Sequence, residues 1–542
     1  RGGPTVKFVR LGVITVVLAT LAGLSAVNLG DRRDNAAGAD AEARLSLLNE
    51  MVTADPPGTL DSTWYCAATR VRESDAGTHE VFVSNGSDEP VEVELRGVPL
   101  STKVEAEPPQ QLELAAHTVL VVDVATLVRE SSAAVIVDVR SGEVTVSHRL
   151  VNDTGASQVP CTSRPSASWD FPYVSTSKDA TARLFLFNPY PVAVSVDVTL
   201  STTESVRVPA ELSGESVPPG RVKVINLNVQ AKRNDRLSVS VRTRSGLVIA
   251  EVVQTYSEDN LEFNLRTGEG GDGTIDEEEI GEQAVTRQGV AIIAGSPEVT
   301  TEVGFVDGFS QGGVIEQYVV LNPSKQNADV QPIWVTPFGQ PREDIEPLEK
   351  VIPPGRAETI RIDDDQRIPP EGFHHGLVAS DVGVAASRVL VTTAERGDSE
   401  DSGTQVRPEP ATGASISPGL PLAADRWWAG GIRLSGDDEG WLLLDNPSSS
   451  ETASIKLLVH GDGEVAAAEG LDDFPVEPGA QLAVNLKDLA LADLAIVEVR
   501  SSAPVQVETR LVDAEAGDYS SGPAVPDAAT VVALADVADV AG

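Results

Sequence analysis

The sequence predicts an all-β protein: tandem Ig-like β-sandwich modules following one N-terminal transmembrane helix. Three observations carry that expectation. An apolar run closed by Asn occurs four times, at 81–85, 184–189, 318–323 and 441–447, and three of these continue as Asn-Pro. A second landmark follows at nearly fixed distance: Asn188 precedes Gly220 by 32 residues, Asn322 precedes Gly355 by 33, and Asn446 precedes Gly479 by 33. After Asn85 the corresponding place holds Ala116-His117. Self-similarity at a fixed period specifies an array of like units. The third observation is a 19-residue uncharged run at 11–29, close to the length that spans a bilayer.

Taken in order, residues 1–10 read as a cytoplasmic stub. Arg1, Lys7 and Arg10 lie before the apolar run, and the positive-inside rule then places the rest of the chain outside. Cleavage as a signal peptide is the other reading of 11–29, and both readings export the residues after it. Residues 31–58 read as a stalk, with Leu45, Leu48 and Met51 spaced for a short helix ended by Pro56-Pro57-Gly58.

Module one is expected at 59–160, where Val91, Val93 and Leu95 alternate with acids as in a half-buried strand. Module two, 161–268, repeats that alternation in Val194, Val196 and Val198 at offsets from Asn188 that match those from Asn85. An acidic, Gly-rich linker is expected at 269–288, module three at 289–396, a second linker at 397–413, module four at 414–522 and a weakly helical or disordered tail at 523–542. The first two modules adjoin directly, so the second pair is expected to be more loosely tethered. Asn ends a strand and bonds its own chain two residues on, and Pro-Gly supplies the positive φ of a tight turn. Asn85, Asn188, Asn322, Asn446, Gly220, Gly355 and Gly479 are therefore structural landmarks first. Trp64, Trp169, Trp427 and Trp428 read as core plugs.

The two cysteines, Cys66 and Cys161, stand at comparable places near the openings of modules one and two. In an oxidising compartment a single bridge is expected, closing a loop of about 95 residues, worth roughly 4–5 kcal/mol in the chain-entropy picture. It is expected to staple the seam between those modules. A net charge of −41 excludes nucleic acid as a partner. The six histidines make no HExxH or i, i+4 pair, and His374-His375 on a strand would face opposite ways. No nucleophile elbow, phosphate loop or dinucleotide fingerprint is present. The acidic runs 272–282 and 363–365 are the places for structural calcium, but the first lacks the ligand spacing of an EF-hand. Catalytic, cofactor-binding and metal residues are accordingly expected to be none.

The Trp64-x-Cys66 opening, the later Pro160-Cys161 and the repeated Asn-Pro and Pro-Gly landmarks resemble an actinobacterial family of uncharacterised, membrane-anchored exported proteins. The resemblance covers most of 10–520 and implies companionship with a large membrane glycosyltransferase. The resulting expectation is a non-catalytic, single-pass extracytoplasmic scaffold of the cell envelope that presents a partner. The alternatives are an array that binds envelope polysaccharide through exposed aromatics, and an extracellular hydrolase using a carboxylate pair.

Overall fold

Alternation in the sequence becomes alternation in burial: in the strand Val91–Pro99 the valines and leucine are inside while Glu92 faces water. The computed structural model describes residues 51–55, 61–69, 77–101, 103–128, 132–178, 180–264, 282–310, 314–335, 348–362, 372–392, 413–489 and 491–537. The expected stub, transmembrane helix and most of the stalk lie outside these residues. Among the described residues no helix is long and apolar enough to cross a membrane.

Repeat one contains β1 (Asp61–Cys66), β2 (Gly77–Asn85), β3 (Val91–Pro99), β4 (Gln110–Leu114), β5 (Thr118–Asp123), β6 (Ala133–Arg140), β7 (Val144–Asn152) and β8 (Gly155–Pro160). They form two four-stranded sheets, β1-β6-β3-β4 and β5-β2-β7-β8. Trp64, Val83, Val93 and Val137 share the core between them.

Repeat two contains β9 (Ser168–Val174), β10 (Ala180–Asn188), β11 (Val194–Ser201), β12 (Val206–Arg207), β13 (Glu215–Val217), β14 (Arg221–Asn226), β15 (Leu237–Ser245), β16 (Ile249–Asn264) and β17 (Glu282–Ala294). Its sheets run β12-β11-β15-β9 and β14-β10-β16-β17.

Repeat three contains β18 (Thr300–Ser310), β19 (Val314–Leu321), β20 (Ala328–Val335), β21 (Lys350–Ile352), β22 (Ala357–Arg361), β23 (Gly372–Thr392) and β24 (Gly413–Pro418). Repeat four contains β25 (Leu422–Ile432), β26 (Glu439–Asp445), β27 (Ala453–Gly461), β28 (Glu464–Val476), β29 (Gln481–Asn485), β30 (Ala495–Asp513) and β31 (Asp518–Pro523), followed by β32 (Val525–Pro526) and β33 (Val532–Ala533). In these two repeats a single long strand, β23 or β30, serves both sheets, where repeats one and two use two strands each.

Several boundaries differ from those expected. β17 begins at Glu282, inside the segment read as linker, and pairs back on β16; residues 265–281 lie outside the described residues. β24 likewise pairs with β23 of repeat three, and the tail after Pro523 contributes β32 and β33, both paired to β25. In every repeat, then, the chain folds back once more before moving on.

The bridge Cys66–Cys161 is present, with its Cα atoms 4.8 Å apart. It joins the first strand of repeat one to the residue that follows β8, so it closes repeat one on itself rather than stapling one module to the next. Tyr65 and Thr162, beside the cysteines, exchange both backbone hydrogen bonds at 2.8 and 3.0 Å.

The second pair of repeats is not loosely held. Ile315, Val319, Val389 and Val391 of repeat three lie in one apolar cluster with Val174, Val239 and Val252 of repeat two. Repeats one and two share Ala67, Ile136, Phe185 and Phe187. Repeat four returns to repeat one, where Trp428 and Ile496 enter the core of Val81 and Val83. Composition between repeats is silent about the surfaces on either side, and here those surfaces are apolar and buried.

Candidate functional site

The four closing strands β8, β17, β24 and β31 lie next to one another in cyclic order. Gly155 and Gly413 open β8 and β24, Gly289 holds the equivalent place within β17, and Asp518 holds it at the start of β31. Its buried carboxylate accepts from the backbone N–H of Ala156 at 3.2 Å, Val290 at 2.8 Å, Ala414 at 3.2 Å and its neighbour Tyr519 at 2.8 Å. A Cβ on Gly155 or Gly413 would stand 2.0 or 2.2 Å from that carboxylate, so three glycines make room for one acid. Burial pushes the Asp518 carboxyl up, and the four amides pull against that shift. The other ends of the strands (Pro160, Ala294, Pro418 and Pro523) line an apolar cavity of about 70 Å³.

Around this axis the first three repeats close in the same register. Tyr65–Thr162, Asp170–Ser296 and Gly304–Leu420 are equivalent closures, each with reciprocal backbone hydrogen bonds. One residue further on, repeat one has Cys66–Cys161. Repeats two and three have Phe171 against Gly295 and Phe305 against Gly419, where an added Cβ would come within 2.8 and 2.9 Å of the ring.

The junctions carry the buried ionisable groups. At the one–two junction, His148 Nδ1 is 3.3 Å from His79 Nε2, and its Nε2 is 3.8 Å from Glu251 Oε2. That oxygen accepts from Ala68 N–H at 2.6 Å. Burial lowers His148 to about 3 and raises Glu251 to about 7. At the three–four junction the equivalent residues are Arg388 and Glu508, paired at 3.2 Å, with Asp307 N–H donating to Glu508 at 3.0 Å. Arg510 also grips Asp307, and Ser521 donates to it at 2.5 Å. Burial opposes ionisation of Asp307, but the two guanidiniums hold its carboxyl below the usual range. At the four–one junction Arg426 joins Glu143 and Glu498, each at 2.5 Å, while His117 and His460 meet at 3.1 Å. Burial works against Glu498, yet His460, Arg500 and Arg426 bring it down to about 2.

His374 and His375 go to different partners: the first sits 3.1 Å from Glu316 in its own repeat, and the second bonds Asp445 of repeat four. Among the described residues, one group has metal-ligand spacing, Cys66, His148 and Cys161. The acidic run 363–365 lies outside the described residues, as do 272–281 of the first acidic run and, at its end, the side chain of Glu282.

The landmark asparagines are fully buried. Asn188 donates to Val192 O at 2.7 Å and Val217 O at 3.0 Å while accepting from Tyr190 N–H. Asn85 makes the corresponding bonds to Glu89 O and Leu114 O, Asn322 to Gln326 O and Ile352 O, and Asn446 to Glu451 O and Val476 O. Each amide thus ties its own turn to the strand that leads into the second landmark. Gly220, Gly355 and Gly479 have φ of 59°, 70° and 65°, and His117 holds the same left-handed conformation at 54°. Trp64, Trp169, Trp427, Trp428 and Trp441 are all buried.

Sequence reasoning passed over Asp518 and its glycines. A signal existed: Thr-Gly-Ala-Ser recurs at 154–157 and 412–415. Ser157 Oγ accepts from Ile292 N–H at 3.0 Å and Ser415 Oγ from Ser521 N–H at 3.1 Å, the same contact in the two halves of the molecule.

Residues 151–404 match the model of a family of unknown function, DUF5719. No curated protein matches the chain. Among solved structures, the crystal structure of Thermotoga maritima 1070 aligns at 16% identity over 22% of this chain and 94% of its own, with a TM-score of 0.17. The chain is therefore similar to an uncharacterised family from the end of repeat one to a point ahead of β24, the last strand of repeat three.

Proposed function

We propose that this is a non-catalytic, single-pass extracytoplasmic protein of the cell envelope, whose four Ig-like modules form a rigid scaffold that presents a partner, accessory to a membrane glycosyltransferase. The observation that carries this reading is the use made of the buried ionisable groups. Asp518, Glu251, Arg388, Glu508, Arg426 and Glu143 join one repeat to the next, which is what a body that must hold its shape requires. Anchoring rests on the apolar run at 11–29, and export also fits the disulfide. An acidic exterior keeps such a body soluble and steers it toward basic surfaces. The burial of five tryptophans weighs against the polysaccharide-binding alternative, which needs aromatic faces in water.

The test is photo-crosslinking of the full chain in membranes of its native host. A discrete membrane-protein adduct, with no change in the envelope polysaccharide, is expected. Retention of the purified chain by envelope polysaccharide without any protein partner would favour the binding alternative. Cleavage of that polysaccharide would overturn the non-catalytic reading.

A further inference from the structure

The two halves of the molecule solve one packing position differently, and the difference points to a site. In the second half the buried carboxylate Glu508 has a cation, Arg388, at 3.2 Å, and Phe305 fills the neighbouring closure. In the first half the equivalent carboxylate, Glu251, faces an imidazole, and the closure is a pair of sulfurs. Soft and borderline donors have gathered where the cation is missing.

We propose that Cys66, Cys161 and His148, with Glu251 as fourth donor, bind a zinc-like divalent cation when the Cys66–Cys161 bridge is reduced. The ligand atoms of the first three residues all lie within 4.8 Å of one another and are buried. His148 Nε2 and Glu251 Oε1 are buried without a hydrogen bond among the described residues, so each has a lone pair to give. Two thiolates, one imidazole and one carboxylate make a tetrahedral set for zinc, with bonds of about 2.0–2.3 Å. Forming it requires His148 to draw toward the sulfurs by roughly 1 Å, the sulfurs to move apart, and Glu251, beside His148, to turn toward them.

His79 is the positioning residue. For Nε2 of His148 to offer its lone pair, the ring proton must sit on Nδ1, where His79 Nε2, 3.3 Å away, accepts it. An imidazole ligand oriented through its second nitrogen is the usual arrangement in zinc sites.

The chemistry balances with a dithiol reductant. The dithiol gives two electrons and two protons to the S–S bond and is oxidised to its own disulfide. Two thiols result. The incoming cation displaces both thiol protons to solvent and takes the carboxylate in its ionised form. Metal and bridge are alternative closures of the same repeat, and they cannot coexist.

The test reduces the full chain with a dithiol in mild denaturant, then restores native buffer without oxygen in the presence of zinc or cobalt(II). One equivalent of metal per chain is expected, with a thiolate-to-cobalt charge-transfer band and recovery of the native circular dichroism. The oxidised chain should bind none. His148→Ala, which keeps the bridge so that its fold can be verified in the oxidised state, should lose tight binding on reduction. His79→Phe should weaken zinc by about 10–100-fold. Three results would each overturn the proposal: a reduced wild type that refolds without taking up metal, one that zinc fails to refold, or a reduced His148→Ala that binds as tightly as wild type.

Discussion

The one–two and three–four junctions hold the same backbone frame with opposite chemistry. Ala68 and Asp307 each give a backbone N–H to a glutamate of the next repeat, Glu251 or Glu508, at 2.6 and 3.0 Å. Around Glu251 the frame is filled by a disulfide, two histidines and the apolar cluster of Phe185 and Phe187. Around Glu508 it is filled by Arg388, Asp307 and Arg510, all buried. The geometry of the closure therefore does not dictate its chemistry. The frame is held by a covalent bond in one half and by an ion network in the other. Such a network gains little over apolar packing while intact, but losing one member leaves a buried charge unpaired.

Asp518 ties the two halves together, and removing it tests whether they depend on each other. Asp518→Ala leaves three amides of other repeats without an acceptor at about 1–3 kcal/mol each, so a loss of about 3–9 kcal/mol is expected in denaturant unfolding. A loss below about 1 kcal/mol would mean that water replaces the carboxylate and that the axis is not a hub.

Arg388→Met comes next, at about 3–5 kcal/mol, because Glu508 and Asp307 are left buried with half their counter-charge. The equivalent His148→Leu should cost about 1 kcal/mol or less, since it removes a neutral ring and takes no counter-charge from a buried ion. Equal losses in the two variants would refute the contrast between the junctions.

Removing the bridge by Cys66→Ala with Cys161→Ala should cost about 2–4 kcal/mol. Hydrogen exchange should then rise first at Tyr65 and Thr162 rather than at the start of repeat two. The reciprocal change, Phe305→Cys with Gly419→Cys, should yield a second bridge, detected as loss of titratable thiol.

A further effect is one of pH. Glu251, raised in the fold to about 7 from 4.5, adds stability that is complete below about pH 4.5 and lost as pH rises through 7. Glu251→Gln in the oxidised protein should therefore be more stable than wild type above pH 7, by about 1–3 kcal/mol. Glu508→Gln should be less stable than wild type at the same pH, since it strips Arg388 of a partner at 3.2 Å.

Much was legible in the chain itself. The alternation of Val91, Val93 and Leu95 with acids placed a half-buried strand, and the four Asn landmarks each came with a local turn that sequence spacing can encode. The two cysteines of the chain admitted one intramolecular pairing, and it is present. The lone Asp518 gave no warning, because a carboxylate in so acidic a sequence looks like any solvated side chain. Only its meeting with three glycines from three other repeats, more than 100 residues away, gives it a role.

The sequence by itself determined the strands, their turns and the bridge, since these follow from side-chain period, backbone preference and the count of thiols. Tertiary structure alone decided that the repeats close on one another, that the segments read as linker and tail add paired strands, and which buried charge meets which. Strand period and turn chemistry are set by neighbours in the chain. The fate of a buried charge is set by whatever the fold carries to within a few ångströms of it, and no local pattern records that.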